Sequence, residues 1–252
     1  MTEKLFSITQ GLTGTPTHYC PGCHHGIIHR LIAEAVEELG VLDRTILVEA
    51  VGCSSLAHNY FNMDMIQAAH GRAPAVATAV KRVHPDAVAF TYQGDGDLAA
   101  IGCAEIVNAA LRGEKFTTIF VNNAIYGMTG GQMAPTTLVG QITATSPYGR
   151  KEEEFGRPIR VCEMLATLDG AKYIARVAVN KPANIVKAKN AIKEAFQTQI
   201  RGEGFSMVEI LSTCPTNWNI PPVKANAYID DTMIPQFPLG IFKKAGDEKH
   251  DA

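Results

Sequence analysis

Apolar residues are concentrated in five short runs, in which β-branched residues are frequent. These runs span residues 45–51, 87–92, 117–121, 173–179 and 206–211. Continuous apolar runs of this length are typical of strands that are buried on both faces of a sheet. We therefore predict five central β-strands.

Between these runs, apolar positions recur every three or four residues. Such stripes span residues 26–39, 97–111 and 183–199, and each predicts an amphipathic helix. The last helix starts after Pro182 and ends before Gly202, two residue types that commonly flank helices. Strands that alternate with helices indicate an α/β fold, with a mostly parallel sheet flanked by helices on both faces.

The periodic pattern weakens towards the carboxyl terminus. Residues 1–222 carry the alternating elements, and we expect them to form one domain. Residues 223–252 are rich in proline and polar residues, so we expect an irregular tail that packs on the core or on a partner subunit. The last part of this tail, residues 243–252, is expected to be disordered.

The composition gives no electrostatic reason to expect nucleic acid or a membrane as a partner. Of the 252 residues only 19% are charged, and the formal net charge is −2. The first ten residues lack the apolar segment of a signal peptide, and no apolar run reaches the length of a membrane span. We therefore expect a cytoplasmic protein whose six cysteines stay reduced.

The first chemical motif follows the second predicted strand. Residues 93–97 read Gln-Gly-Asp-Gly-Asp and separate this strand from a helix. The glycines allow a phosphate to approach the backbone, and the start of the helix presents unpaired N–H groups to it. Asp95 supplies a carboxylate of the kind that binds Mg²⁺ beside a phosphate. Taken alone, the motif is also compatible with an ordinary turn that an aspartate caps.

A second polar motif, Asn122 and Asn123, follows the next predicted strand. One helix and one strand separate it from Asp95, so both motifs should reach the same edge of a parallel sheet. The pair resembles the Gly-Asp-Gly … Asn-Asn signature of thiamine-diphosphate enzymes. This resemblance implies that Mg²⁺ is bound by the Asp95 and Asn123 side chains and by the Ile125 carbonyl. It further implies that the diphosphate is lined by Gly96, Asp97, Gly127 and Met128.

Four of the six cysteines lie beside predicted elements. Cys20 and Cys23 form a Cys-Pro-Gly-Cys motif before the first helix, and Cys53 and Cys214 each follow a strand. Two thiolates at the Cys-x-x-Cys spacing can bind a metal ion or one edge of an iron–sulfur cluster. The spacing favours a cluster, since no second Cys-x-x-Cys pair exists and a redox pair would leave Cys53 and Cys214 unexplained. Zinc stays open at this point.

Taken together, these motifs resemble the β subunit of 2-oxoacid:ferredoxin oxidoreductases. The matching segments are residues 19–23, 70–77, 92–97, 126–135 and 213–218. The resemblance implies one [4Fe–4S] cluster with four ligands, namely Cys20, Cys23, Cys53 and Cys214. It also implies contact of thiamine diphosphate with Val51, Gly52, Cys53, Ser54 and His70.

The family resemblance further implies the reaction and the partners. The reaction is the coenzyme A-dependent oxidative decarboxylation of a 2-oxoacid, with 2-oxoglutarate favoured and 2-oxoisovalerate or pyruvate as alternatives. An α subunit is expected to supply the pyrimidine half of the thiamine site, including the activating glutamate. Further small subunits should include a ferredoxin-like one, and ferredoxin should accept the electrons. Two rival hypotheses are a non-redox thiamine enzyme component with structural zinc and a non-catalytic scaffold that carries a metal.

Three other residues have less defined expectations. Cys103 and Cys162 match no cluster position and are predicted to be small buried hydrophobic residues. His24 follows the Cys-x-x-Cys motif at a position where many members of the family have a small residue. It is expected to be a surface or capping histidine, and a hydrogen bond to a cluster sulfur is the alternative.

Overall fold

A seven-stranded sheet organises the computed structural model of the chain, which describes residues 7–246. The strands are β1 (Thr45–Glu49), β2 (Asp64–Gln67), β3 (Val88–Gly94), β4 (Thr117–Asn122), β5 (Ala171–Ala178), β6 (Phe205–Leu211) and β7 (Gly240–Lys244). Their order across the sheet is β2-β1-β3-β4-β6-β5-β7. Every neighbouring pair is parallel except β5 and β7, which are antiparallel. The prediction of an α/β fold with a mostly parallel sheet is confirmed.

Helices cover both faces of this sheet. They are α1 (His25–Glu38), α2 (Ala73–Val83), α3 (Cys103–Leu111), α4 (Glu152–Phe155), α5 (Val161–Ala166), α6 (Pro182–Ile200), α7 (Pro215–Trp218), α8 (Pro222–Tyr228) and α9 (Ile234–Gln236). The apolar stripes of α1 and α6 are buried on one face, and those of α2, α3 and α5 on the other. Within residues 7–246, no helix combines the length and the apolar character that crossing a membrane would require.

The strand register brings four loops to one edge of the sheet. Gly94 of β3 pairs with Val121 of β4, and Asn122 of β4 pairs with Leu211 of β6, so these strands end level with one another. Strand β1 runs parallel to β3 and ends at the same edge. The loops beyond the four strands carry Cys53, Asp95, Asn123 and Cys214. Ligands usually bind at this carboxyl edge in open α/β sheets.

The helix expected over residues 97–111 is divided in the structure. A π-helical turn spans Gly96–Ile101, and α3 begins only at Cys103. Gly102 lies at the junction, where a Cβ atom would come within 2.7 Å of the Asp97 carbonyl oxygen and 2.8 Å of the Gly71 carbonyl oxygen. The absence of a side chain at Gly102 therefore lets the loop that carries His70 pack directly against the backbone of this junction. Any side chain at this position would prevent that contact.

The prediction of an irregular carboxyl-terminal tail is wrong for residues 223–244. They form α8, a π-helical turn over Ile229–Met233, α9 and β7, and β7 pairs with the edge strand β5. Ile229, Met233 and Phe237 recur every four residues and are buried in a third apolar cluster. Three apolar positions among many polar ones are a weak periodic signal, which explains the error. The end of the segment that was expected to be disordered, residues 247–252, lies outside the described residues.

Candidate functional site

A cavity of about 120 Å³ lies at the carboxyl edge of the sheet. Its lining includes every residue predicted to contact the diphosphate or the magnesium ion: Val51, Gly52, Cys53, Ser54, His70, Asp95, Gly96, Asp97, Asn123, Ile125, Gly127 and Met128. His25, Tyr126 and Thr129 also line it, although the sequence analysis gave them no role. The fold thus gathers residues from positions 25 to 129 around one space.

Asp95 is buried in the wall of this cavity and is held by three donors. Its Oδ1 accepts a hydrogen bond from the Gly96 backbone N–H at 2.8 Å. Its Oδ2 accepts from the Thr136 hydroxyl at 2.7 Å and from the Ile125 N–H at 3.1 Å. Burial raises the pKa of Asp95 to about 6, although these donors oppose the rise. The carboxylate is therefore oriented by the protein, and a bound cation would favour its charged form.

The Asn123 side chain points to the same place as Asp95. The Oδ1 atom of Asn123 lies 3.2 Å from the Ile125 nitrogen, and Asp95 Oδ2 lies 3.1 Å from that nitrogen. One amide oxygen and one carboxylate oxygen therefore converge beside the turn that begins after β4. Hard oxygen ligands of this kind are suited to Mg²⁺. The residues present fit the predicted magnesium site.

The turn after β4 is held in an uncommon conformation at Ala124. This residue has a φ of 58°, in the left-handed region that alanine rarely adopts. Its carbonyl accepts hydrogen bonds from Thr137 Oγ1 at 2.7 Å and from Gln141 Nε2 at 3.0 Å. Its N–H donates to Asn122 Oδ1, and Asn122 in turn donates to the buried carboxylate of Glu209 at 2.7 Å. These contacts stabilise the bend that turns Asn123 towards the cavity.

A buried arginine shapes the loop that presents Thr136 to Asp95. The guanidinium of Arg150 donates to backbone carbonyls on both sides of Thr136 and farther along the loop: Ala134, Pro135, Thr137, Phe155, Gly156 and Arg157. The Arg150 residue is only 5% exposed, so these carbonyls satisfy donors that would otherwise be buried without partners. Neither Thr136 nor Arg150 is indicated by the sequence, because no local pattern distinguishes them.

Asp97 connects the loops around the cavity instead of pointing freely into it. Its Oδ1 accepts from His70 Nδ1 at 2.5 Å and from the Gly71 N–H at 2.8 Å, and it lies 3.4 Å from the Val51 nitrogen. Its Oδ2 accepts from Gln93 Nε2 at 2.7 Å. The carboxylate therefore has partners from three segments, and its main effect is to position Val51 and His70 on the cavity wall.

The sulfurs of Cys53 and Cys214 face the same side of the cavity. A Cβ atom built on Gly127 would lie 3.5 Å from Cys53 Sγ and 3.6 Å from Cys214 Sγ. Gly127 belongs to the turn that follows Asn123, so the two thiols lie beside the predicted diphosphate site. Residues that are 161 positions apart in the sequence are thus neighbours in the fold.

The Cys-x-x-Cys turn is attached to the loop that carries Cys214. The Cys23 N–H donates to the Cys20 carbonyl at 3.0 Å, which closes the turn. The hydroxyl of Thr213, next to Cys214, donates to the Gly22 carbonyl at 2.5 Å. This contact joins the beginning of the chain to the end of β6, and it brings the Cys20 and Cys23 pair to the side of the cavity where Cys53 and Cys214 lie.

Electrostatics also indicate that the four thiols are close together. Burial raises the pKa of Cys23 to about 12, and negative charge on Cys214, Cys53 or Cys20 would raise it further. Burial raises the pKa of Cys53 to about 11, with the same effect from Cys214 and Cys20. Four neighbouring thiolates repel one another, so they can be charged together only when a cation compensates them.

The three remaining expectations have different outcomes. Cys162 is buried as expected, but its Sγ also lies 3.0 Å from a Glu209 carboxylate oxygen. His24 stands at the N-cap position of α1, but its side chain makes no capping hydrogen bond. It is 4% exposed and its Nε2 lies 2.9 Å from Asn226 Oδ1 of α8, so the prediction of a surface or capping side chain is wrong. The reason is that α8 covers the start of α1. Cys103 is partly exposed at the first turn of α3, so the prediction that it is buried is wrong, because the residues of α3 that reach the core are Ile106, Ala109 and Ala110.

Comparison with known proteins identifies the family of the chain. Residues 50–210 match the family model of the thiamine pyrophosphate enzyme, C-terminal TPP binding domain. The chain is 47% identical over 98% of its length to the ketoisovalerate oxidoreductase subunit VorA of Methanothermobacter thermautotrophicus, and it spans about half (52%) of that relative. It is 37% identical to the 2-oxoglutarate synthase subunit KorB of Archaeoglobus fulgidus, over 91% of this chain and 85% of KorB.

A solved structure is also similar. The 2-oxoglutarate:ferredoxin oxidoreductase from Magnetococcus marinus, with 2-oxoglutarate, coenzyme A and succinyl-CoA bound, superposes with a TM-score of 0.77 at 27% identity. The superposition covers 98% of this chain and 87% of the matching one. The chain belongs to the thiamine pyrophosphate enzyme family and, within it, to the 2-oxoacid:ferredoxin oxidoreductase subunits that include KorB and VorA.

Proposed function

We propose that this chain is the thiamine-diphosphate-binding and cluster-binding subunit of a 2-oxoacid:ferredoxin oxidoreductase. The complete enzyme would convert a 2-oxoacid and coenzyme A into an acyl-CoA and CO₂, and would pass the electrons to ferredoxin. One observation carries the proposal. The turn around Gly127 borders the predicted magnesium ligands on one side and the sulfurs of Cys53 and Cys214 on the other.

In this proposal each side of the cavity has its own ligands. Asp95 and Asn123 would bind Mg²⁺ through their side chains and Ile125 through its carbonyl. The diphosphate would lie against the remaining lining residues: Val51, Gly52, Cys53, Ser54, His70, Gly96, Asp97, Gly127 and Met128. Bound thiamine diphosphate supplies an electron sink for decarboxylation, and an iron–sulfur cluster accepts electrons one at a time. The chain orients the diphosphate and keeps the cluster next to it.

The arrangement of the thiols favours a [4Fe–4S] cluster over zinc. A zinc ion needs four ligands at about 2.0–2.3 Å, so its ligating atoms crowd around a single point. The four thiols come from three separate segments, namely the Cys-x-x-Cys turn, the loop after β1 and the loop after β6, and only the first supplies a Cys-x-x-Cys pair. A cluster has its thiolate ligands spread around a larger core. We therefore propose Cys20, Cys23, Cys53 and Cys214 as cluster ligands.

The proposal includes partner subunits. Related VorA is about twice as long as this chain, since the chain covers 52% of it. An α subunit would supply the pyrimidine half of the thiamine site together with the activating glutamate. A ferredoxin-like subunit would carry electrons onward from the cluster to ferredoxin. All six cysteines are free thiols, which suits the cytoplasmic location that we propose.

The substrate is a 2-oxoacid, and two candidates deserve direct comparison. The sequence resemblance favoured 2-oxoglutarate. This compound also appears in the names of the KorB relative and of the Magnetococcus marinus enzyme. The higher identity to VorA favours ketoisovalerate.

Anaerobic purification followed by cofactor analysis tests the proposal. We expect about four irons, about four sulfides and one thiamine diphosphate per chain. Zinc with thiamine would instead support a non-redox thiamine enzyme, and metal without thiamine would support a scaffold. Reduction of viologen by the intact complex across a panel of 2-oxoacids, with coenzyme A, then identifies the substrate. The chain without its partners should be inactive, and turnover by it alone would contradict the shared site.

A further inference from the structure

The short helix α7 connects the two sides of the cavity. It begins directly after Cys214, and the Trp218 backbone N–H donates to the Cys214 carbonyl at 2.9 Å. The Asn217 side-chain nitrogen donates to Cys214 Sγ at 3.3 Å and to the Gly127 carbonyl at 2.8 Å. The indole N–H of Trp218 donates to the Asn123 carbonyl at 2.9 Å. Two consecutive side chains thus hold the backbone on both sides of the predicted magnesium ligand Ile125.

The Asn217 amide has no spare donor for a second arrangement. An amide nitrogen carries two hydrogens, and Cys214 Sγ and the Gly127 carbonyl each accept one. The side chain is also packed, because a Cβ atom on Gly131 would lie 3.2 Å from Asn217 Oδ1. A displacement of Gly127 therefore changes the hydrogen bond that the sulfur receives, and a displacement of the sulfur changes the position of Gly127.

We propose that Asn217 and Trp218 couple the two halves of the site, so that binding of magnesium and thiamine diphosphate changes the reduction potential of the cluster. This inference rests on the proposed function. A hydrogen bond to a cluster thiolate stabilises the more negative, reduced state and raises the reduction potential. Coupling between two binding events is reciprocal, so the cofactor affinity must also differ between the oxidised and the reduced cluster. Both residues act through others and are positioning residues.

The test is a potentiometric titration of the cluster, followed by EPR, in the anaerobically purified protein with its copurifying subunits. The titration is carried out with and without Mg²⁺ and thiamine diphosphate. We expect the cofactor to shift the midpoint potential of the wild-type cluster. In Asn217→Leu, which has a similar volume and no donor, the potential should become more negative and the cofactor-induced shift should disappear. The affinity for thiamine diphosphate should fall about twofold to tenfold, as expected for one lost hydrogen bond.

Trp218 provides an independent readout because it is the only tryptophan in the chain, so the difference in emission between the wild-type complex and the Trp218→Phe complex reports on it alone. Its emission should change when thiamine diphosphate and Mg²⁺ bind next to Asn123, and the extent of this change should depend on the oxidation state of the cluster. Trp218→Phe keeps the ring contact with Tyr228, whose centroid lies 4.7 Å away, but removes the donor. This variant should lose part of the shift in potential while it retains the cluster.

Thr216→Val is the matched control, since Thr216 is exposed on the same helix. It should leave the potential, the shift and the cofactor affinity unchanged. Asn217→Ser is the second variant, to be used if the leucine variant does not fold. A cofactor-induced shift that persists in folded, iron-replete Asn217 variants would overturn the inference. If the wild type binds both cluster and cofactor but its midpoint potential does not shift, the inference is wrong and the proposed function still holds. If the wild type lacks the cluster or the cofactor, the proposed function itself is wrong.

Discussion

The two sides of the cavity are built in different ways. On the diphosphate side, Asp95 and Asn123 follow neighbouring strands, and each polar oxygen already has a donor within 3.2 Å. On the cysteine side, Cys20 is exposed and the other three proposed ligands are partly exposed in loops. Burial and mutual repulsion raise the thiol pKa of Cys23 and Cys53. The diphosphate side is therefore preorganised by the protein, whereas the cysteine side needs bound metal to stabilise its charged form.

Replacement of Asp95 should have the largest effect and should separate the two sides. Asp95→Asn keeps the shape of the side chain but removes the negative charge that Mg²⁺ needs. Replacing a residue that only hydrogen-bonds a metal ligand typically weakens metal binding about 10–100-fold, and Asp95 is proposed to be a ligand itself. Because the diphosphate binds together with Mg²⁺, we expect thiamine diphosphate to bind at least about 100-fold more weakly. Calorimetric titration with Mg²⁺ present measures this affinity.

Iron content should stay unchanged in Asp95→Asn, because the thiols do not depend on the magnesium site for their fold. Asp43→Asn, at an exposed position outside the cavity, is the control and should bind thiamine diphosphate normally. Loss of iron together with the cofactor in Asp95→Asn would show that the two sides do not form separately.

Replacement of Cys214 should have the opposite result. Cys214→Ala removes one of four proposed ligands, so the [4Fe–4S] EPR signal should be lost. Because Asp95 and Asn123 keep their partners, the affinity for thiamine diphosphate should change by less than about tenfold. Cys103→Ala, at a partly exposed cysteine of α3, is the matched variant. An unchanged cluster in Cys214→Ala, or a lost one in Cys103→Ala, would refute the ligand assignment.

A smaller effect is expected from the second layer of the diphosphate side. Thr136→Val removes the hydroxyl that donates to Asp95 Oδ2 at 2.7 Å while it keeps the size of the side chain. We expect about tenfold weaker binding of magnesium and thiamine diphosphate. Thr78→Val is the control, because the Thr78 hydroxyl is also buried but donates within α2 to Pro74. Equal affinities in both variants would mean that Thr136 does not orient Asp95.

The smallest effect concerns stability. Arg176 is fully buried, and its guanidinium donates to Glu209 at 2.8 Å and to both oxygens of Glu163 at 3.0 and 2.6 Å. Burial raises the pKa of Glu163, but the hydrogen bonds from Arg176 outweigh it and the pKa is lowered. Glu163→Gln should therefore reduce the free energy of unfolding by about 1 kcal/mol at neutral pH.

The pH dependence of this difference follows from the direction of the shift. A carboxyl group with a lowered pKa in the folded state stabilises the protein above its ordinary pKa of about 4.3, and this contribution is lost as the pH falls through the folded pKa. The wild type and Glu163→Gln should thus converge in stability at acidic pH in urea unfolding experiments. Cofactor affinity should not change, because Glu163 contacts neither side of the cavity. A constant stability difference down to low pH would contradict the proposed ion pair.

Much of the fold follows from local patterns. The runs around β1, β3, β4, β5 and β6 are apolar because these strands are covered on both faces, and this signal depends only on neighbouring residues. By contrast, β2 is an edge strand of the sheet, and most of its residues are exposed. An exposed strand does not need a continuous apolar run, so β2 was not predicted. The carboxyl-terminal elements were missed for a similar reason, since β7 is also an edge strand and its residues are exposed or partly exposed.

The sequence by itself determined which chemical groups are available and near which strand ends they lie. Parallel strands end at a common edge, so the positions of Asp95 and Asn123 along the chain were enough to predict that they meet there. Only the tertiary structure decided which side chains hold these groups in place. Thr136 reaches Asp95 across 41 residues, and Asn217 reaches Gly127 across 90. The physical reason is that a hydrogen bond depends on distance and direction in space, which periodicity along the chain does not specify.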